Sequence, residues 1–320
     1  MRLVFFGSGG FGCPSLRRLC GGGHEVLRVV TQPARPGGRG HQPQPTEIAR
    51  LSSELALPCV EAAAVNEPAL LQDVTALRPE ALVVIAFGQK LQAGWLRLPG
   101  CRAINLHASL LPKYRGAAPI HWAIINGERE TGVTVIELNE VWDGGAILGR
   151  RAMRIRPGET AGELHDRLAE LGPELLLEVL EQMARGQDRP QPQDERQASR
   201  APKLRKSDAA LNWSQPAERV VNWVQGTWPW PGAYSTLRQT NGRTERVTFA
   251  RAKVAESSGS TGDSAAGEPG SVAPDLNICC RPGRLRPLEV QPDNGRLMSY
   301  EEYARGRHLQ AGDRFEAGQA

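Results

Sequence analysis

The sequence predicts an α/β chain of two domains. An N-terminal, mostly parallel sheet with helices on both faces is followed by a smaller β-rich domain, a barrel in outline. Three observations point there. Over the first 150 residues, short apolar and β-branched runs alternate with amphipathic segments, the βαβ rhythm of a parallel sheet. After residue 203 the pattern changes to short strand-like runs between turns. The length, 320 residues, suits two domains of about 100–200 residues each.

Taken in order, Arg2–Phe6 reads as a first strand, followed by a glycine-rich turn and a helical segment over Pro14–Leu19. Val26–Thr31 is a second strand. Thr46–Leu55 and Glu67–Leu77 carry helical periodicity. Ala81–Ala86 is continuously apolar, as a strand buried on both faces should be. Ala103–Leu106 and Val133–Leu138 complete the sheet. Thr160 and Glu163 form a capping box ahead of Leu164, Leu168 and Leu171. Gly172-Pro173 should interrupt that helix, with a second run through Leu176, Leu180 and Met183. Residues 185–202 are polar and proline-bearing and read as a linker between domains 1–184 and 203–320. Strands are expected at Arg246–Ala250, Leu276–Cys280 and Leu285–Gln291, and a flexible insertion at 255–274, rich in Gly, Ser and Ala.

Composition narrows the functional classes. With 40% hydrophobic and 23% charged residues and a net charge of +4, the chain is globular rather than disordered. No apolar run approaches the ~18–20 residues of a membrane span. The N-terminus has neither a signal-like nor a transit-like pattern, so the expected compartment is the cytoplasm. The six cysteines form no C-x-x-C pair and the histidines no ligand-spaced cluster, so neither a disulfide framework nor a metal site is expected. Charge is uneven. Residues 1–50 hold seven arginines against two glutamates, and Lys203, Arg205 and Lys206 form a second basic cluster. Such clusters suit a polyanion.

Three constellations are candidates for chemistry. Gly7, Gly9 and Gly12 match the G-x-G-x-x-G of dinucleotide sites, but Thr31-Gln32 stand where that fingerprint wants an acidic residue. A tight strand-to-helix turn is the alternative. Asn105 and His107 end a buried strand, and the two-residue period puts both on one face. An amide donor beside an imidazole can polarise a carbonyl and stabilise an oxyanion. Asp143, in a Gly-bearing loop after the next strand, can orient and charge-stabilise the imidazole. Each also has an ordinary reading: a turn cap, a hydrogen-bonded core histidine and an Asp-Gly turn.

Together these residues resemble the 10-formyltetrahydrofolate-dependent formyltransferase family. Asn105-Leu106-His107-Ala108-Ser109-Leu110-Leu111-Pro112 looks like its N-x-H-x-S-L-L-P signature. Lys113-Tyr114-Arg115-Gly116, Thr131-Gly132-Val133-Thr134 and Asp143 follow in register. The resemblance implies a Rossmann-like catalytic domain and a C-terminal OB-like β-barrel. It makes Asn105, His107 and Asp143 the catalytic trio. It assigns Ser109, Leu110, Leu111 and Pro112, with Ala86, Phe87 and Gly88, to the folate. Thr31–Gly40 resembles the T-Q-P-D-R-P-A-G-R-G loop of members whose acceptor is initiator methionyl-tRNA. Lys203, Lys206 and Trp213 look like the opening of their second domain, and Trp230-Pro231-Gly232-Ala233 falls in register too. By resemblance, Arg35, Arg39, Lys203 and Lys206 contact tRNA, and the activity is formyl transfer to the α-amino group of methionyl-tRNA. A monomer without metal or membrane partner is expected. The alternatives are a nucleotide-sugar N-formyltransferase with the same co-substrate and, more distantly, a dinucleotide-binding oxidoreductase.

Overall fold

A computed structural model describes residues 1–37, 42–256 and 267–316. They fall into two compact units. The first is Met1–Pro119 with Glu130–Arg154 and His165–Pro202, the second Ile120–Arg129 with Ile155–Leu164 and Lys203–Ala320.

The first unit is built on β1 (Arg2–Gly7), α1 (Cys13–Gly21), β2 (Glu25–Thr31), a small hairpin β3 (Arg35–Gly37) and β4 (Gln42–Gln44), and α2 (Glu47–Glu54). It continues with β5 (Cys59–Glu61), α3 (Pro68–Ala76), β6 (Ala81–Ile85), α4 (Ala93–Leu96) and β7 (Arg102–His107). After α5 (Pro119–Ile125), which belongs to the second unit from Ile120 onward, come β8 (Glu130–Glu137), β9 (Ile147–Arg154) and α6 (Ala161–Ala184), whose first residues up to Leu164 also belong to the second unit. The sheet runs β5-β2-β1-β6-β7-β8-β9. Its strands are parallel from β5 to β7, while β8 and β9 are antiparallel additions. β6 is buried throughout, as its unbroken apolar run demands. Phe6 packs edge-to-face on Phe87 and Trp95, so one core lies beside β1 and β6.

Two expectations fail here. Helix α6 runs unbroken through Pro173. Proline removes one N–H donor, but Leu168, Leu175, Leu176 and Leu180 are buried, and their burial outweighs the lost bond. Gly172 does not end the helix. It gives room, because a Cβ there would come within 2.6 Å of the Leu106 side chain on β7. The 185–202 stretch is also more than a tether. Gln191 and Ile147 exchange backbone hydrogen bonds of 2.7 and 2.9 Å, Arg115 N–H donates to the Ser199 carbonyl and Ala201 N–H to the Arg115 carbonyl. Backbone pairing needs no apolar side chains, so composition gave no sign of it.

The second unit holds α7 (Ala217–Thr227), β10 (Ala233–Arg238), β11 (Thr244–Val254), β12 (Ile278–Cys279), β13 (Arg284–Pro292), β14 (Met298–Ser299), α8 (Tyr300–Arg307) and β15 (Arg314–Glu316). The strands form an antiparallel sheet in the order β12-β13-β11-β10-β15, with β14 on β13. Its two edges are bridged by residues 270–272. Phe315 N–H donates to the Gly270 carbonyl, and Cys279 N–H donates to the Ser271 carbonyl. This nearly closes a barrel around Trp213, Phe249 and Phe315, whose ring centroids lie 5.3–6.1 Å apart. Of the expected insertion at 255–274, residues 257–266 lie outside the described residues. Val272 and Ala273 are buried, so that end packs into the barrel although it lies in no named strand.

Candidate active site

β7 lies between β6 and β8, with Asn105 opposite Val84 and Ile136, and His107 opposite Thr134. Alternation places Asn105 and His107 on one face of the strand's carboxyl end. Asn105 Nδ2 donates to the Val84 carbonyl at 3.0 Å. A carbonyl cannot donate, so this bond fixes the amide orientation. It leaves Asn105 Oδ1 buried with no partner in the protein and leaves a second Nδ2 hydrogen unspent. An orphan of this kind is costly in a core.

His107 is held from the other side. Its Nε2 lies 2.9 Å from the Tyr114 carbonyl, which assigns the proton to Nε2. Nδ1 then faces Asp143 Oδ2 at 3.8 Å, and the two side chains keep only 7% and 11% of their surface. That separation is too long for a direct hydrogen bond, but it is short for two such buried groups. Asp143 Oδ2 accepts from the Gly116 N–H at 2.8 Å. Asp143 itself is left-handed, φ +52°, a conformation aspartate tolerates better than most residues. The structure thus brings His107 and Asp143 together and sets Asn105 on the same strand face as His107.

The motif residues around the trio build its frame. Thr134 is fully buried. Its hydroxyl donates to the Ser109 carbonyl at 2.6 Å and accepts from Leu111 N–H at 3.1 Å. Ser109 Oγ donates to the Lys113 carbonyl at 2.6 Å. Gly132 is required by a close approach: a Cβ would meet the Arg151 carbonyl at 2.2 Å and Leu110 at 2.7 Å.

Sequence reasoning missed Gln193. Its Nε2 donates both hydrogens, to the Asp143 and Gly145 carbonyls, each at 2.8 Å. Its Oε1 accepts from Arg115 Nε and Nη2 at 3.0 and 2.7 Å. Arg115 also pairs with Glu195 at 2.8 Å. One amide therefore clamps the Asp143 loop from both sides. Its local sequence carries no signal, because a glutamine in a polar stretch looks like any other.

The remaining site residues divide. The side chains of Phe87, Ser109, Leu111 and Pro112 are buried in the fold, whereas Ala86 and Gly88 are exposed and Leu110 is half-buried. Arg35 is exposed in β3 and reaches Gln32 Oε1. Gln32 in turn donates to the Phe87 carbonyl at 2.6 Å. Arg39 lies outside the described residues. Lys203 and Lys206 are exposed at the opening of the second unit.

In the glycine-rich turn, Ser8 and Gly9 N–H both donate to the Ala86 carbonyl, and Gly12 N–H donates to Gly9. Three amides of the motif are thus committed within the protein, and Thr31-Gln32 still offer no carboxylate to hold a ribose. Among the described residues no group of three or more His, Cys, Asp or Glu side chains converges as a metal site, and no helix is long and apolar enough to cross a membrane.

Residues 1–180 match the family described as formyl transferase, and residues 203–308 the formyl transferase C-terminal domain. The chain belongs to the formyl transferase family. The methionyl-tRNA formyltransferase of Heliobacterium modesticaldum is 42% identical over 324 residues, covering 98% of this chain and 100% of that one. That of Moorella thermoacetica is 40% identical over 317 residues, covering 98% of each. Among solved structures, WlaRD, a sugar 3N-formyl transferase, superposes with a TM-score of 0.65 at 14% identity, over 90% of this chain and 97% of that one. HypX from Aquifex aeolicus, in complex with tetrahydrofolic acid, does so with a TM-score of 0.60 at 21% identity, over 95% of this chain. The chain spans about half the length of HypX, 47%. At these identities the two structures speak for the fold alone.

Proposed function

We propose that this formyl transferase moves the formyl group of 10-formyltetrahydrofolate to the α-amino group of initiator methionyl-tRNA, with Asn105, His107 and Asp143 as its catalytic residues. One observation carries the acceptor. The full-length match to relatives at about 40% identity, both domains included, is to methionyl-tRNA formyltransferases.

The rim residues fit a folate donor. The orphaned Asn105 Oδ1 needs a partner from outside the protein, and Ala86, Gly88 and Leu110 leave surface uncovered at the same strand ends. The co-substrate supplies the electrophilic formyl carbon. The α-amino group, with a reference pKa of about 7.7–8.0, is substantially neutral near pH 7 and attacks that carbon. A C–N bond to the acceptor forms, and the bond from the carbon to the folate nitrogen breaks. The second Nδ2 hydrogen of Asn105 is free to meet the charge that grows on the formyl oxygen. With Nε2–H held by Tyr114, Nδ1 is the ring nitrogen left to take the proton the amine sheds. Asp143 stabilises the resulting imidazolium, and Nδ1–H returns the proton to the departing folate nitrogen. We also infer a cytoplasmic monomer.

The test is an acceptor screen with 10-formyltetrahydrofolate and three acceptors: charged initiator tRNA, an amino-sugar nucleotide and glycinamide ribotide. Formylated methionyl-tRNA as the main product is expected. Preferential formylation of either small acceptor would overturn the assignment.

A further inference from the structure

The second unit contains a cavity of about 380 Å³. That is the small end of the ~300–1,000 Å³ range of ligand pockets, room for one ring system and its substituent rather than a peptide or a duplex. Its walls come from Trp122 on α5, from Asn212 and Gln215 ahead of α7, and from Arg219, Val220 and Trp223 on α7.

The wall chemistry selects a class of occupant. The Trp122 and Trp223 rings stand edge-to-face, centroids 6.1 Å apart at 81°. Such a pair makes an L-shaped corner that accepts a third planar ring. Trp223 Nε1 donates to the Asp208 carbonyl at 3.1 Å, which fixes the plane of one wall. Asn212 Oδ1 accepts from Ser214 N–H, and its amide nitrogen makes no side-chain hydrogen bond among the described residues. The Gln215 amide and the Arg219 guanidinium make no side-chain hydrogen bond or ion pair among the described residues, whereas Arg238, Arg251 and Arg307 of the same unit each hold a carboxylate. No acidic residue lines the cavity. Indole faces, two amide edges and an uncommitted cation match a planar heterocycle that carries hydrogen-bonding edges and a phosphate.

We propose that this cavity takes a single nucleotide of the RNA acceptor, its base against Trp122 and Trp223, its edge read by Asn212 and Gln215, and its phosphate on Arg219. The proposal rests on the tRNA acceptor reading, and it concerns a subsite apart from the transfer chemistry.

The test is equilibrium binding of uncharged initiator tRNA to the full chain across a salt series, alongside folate binding. Arg219→Gln should weaken tRNA binding about five- to tenfold and flatten the salt slope by about 0.7–1, the signature of one lost phosphate contact. Gln215→Ala should weaken it a few-fold with the slope unchanged. Trp122→Phe should bind like wild type and Trp122→Ala about tenfold more weakly, as loss of stacking requires. Folate binding should stay within twofold throughout. Ultraviolet cross-linking should place an adduct on a peptide holding Trp122 or Trp223. Unchanged tRNA affinity in Arg219→Gln and Gln215→Ala would overturn the proposal. So would adenosine monophosphate binding at micromolar affinity without displacement by tRNA, since the occupant would then be a free nucleotide. Wild-type protein that fails to bind tRNA at all would instead refute the acceptor assignment.

Discussion

Two loops leave the same rim of the sheet and treat their polar groups in opposite ways. The turn after β1 is closed on itself: Ser8 and Gly9 share the Ala86 carbonyl, and Ser8 Oγ accepts from Gln32 N–H and donates to the Phe87 carbonyl. The end of β7 is left open. Asn105 keeps an orphaned oxygen, and a 3.8 Å gap separates His107 Nδ1 from Asp143. Glycine-rich motifs draw the eye first, yet the satisfied loop has little to offer a ligand. The unsatisfied one has a donor, a proton acceptor and a carboxylate.

The largest expected effect lies at β7. Asn105→Ala and His107→Ala should each lower kcat by on the order of 10²–10³, while near-native circular dichroism and melting show the fold intact. Next comes the clamp. Gln193→Glu keeps the length and the Arg115 partner but loses both donors to the Asp143 loop. It should lower kcat between about ten- and a hundredfold through misplacement of the carboxylate, with KM for either substrate within about threefold. A KM-dominated defect would mean that Gln193 serves binding instead. The closed loop should be far less sensitive. Ser8→Ala should cost about 0.5–1.5 kcal/mol in denaturant unfolding and leave kcat within about threefold. A large kcat loss there would erase the contrast between the loops.

The smallest effect is a pH dependence away from both loops. The Arg251 guanidinium holds the Glu163 carboxyl down to about 2. Below the ordinary glutamate value of about 4.3, the unfolded chain takes up a proton that the folded chain refuses. The stabilisation present at neutral pH is therefore lost as pH falls from about 4.3 towards 2. Arg251→Gln should melt slightly lower at pH 7 and show a flatter melting-temperature profile across that window. Because Glu163 is half-exposed, the difference should be small.

Much of this was legible in the sequence. β1 and β6 announced themselves by apolar runs, and two-residue spacing put Asn105 and His107 on one face. What escaped was set by tertiary contact. Gly172-Pro173 reads as a helix end, and only the proximity of Leu106 explains the glycine. Residues 185–202 read as a linker because backbone pairing and a glutamine clamp leave no hydrophobic trace. Ser109, Leu111 and Phe87 stand in or beside motif positions, yet their side chains face inward and shape the site from behind. Spacing along a chain gives neighbours within an element. It does not give the partner that arrives from 50 residues away, as Gln193 does for Asp143.

On the mechanism proposed above, the Asp143 carboxylate, and not merely its place in the loop, drives proton transfer through His107. Asp143→Asn is nearly isosteric, and its side-chain oxygen can still accept from the Gly116 N–H. The deciding measurement is the single-turnover rate of formyl transfer to charged initiator tRNA by this variant at saturating 10-formyltetrahydrofolate. A fall of on the order of 10² or more with an unchanged melting temperature is expected. A rate near wild type would show that the carboxylate charge plays no part in the transfer.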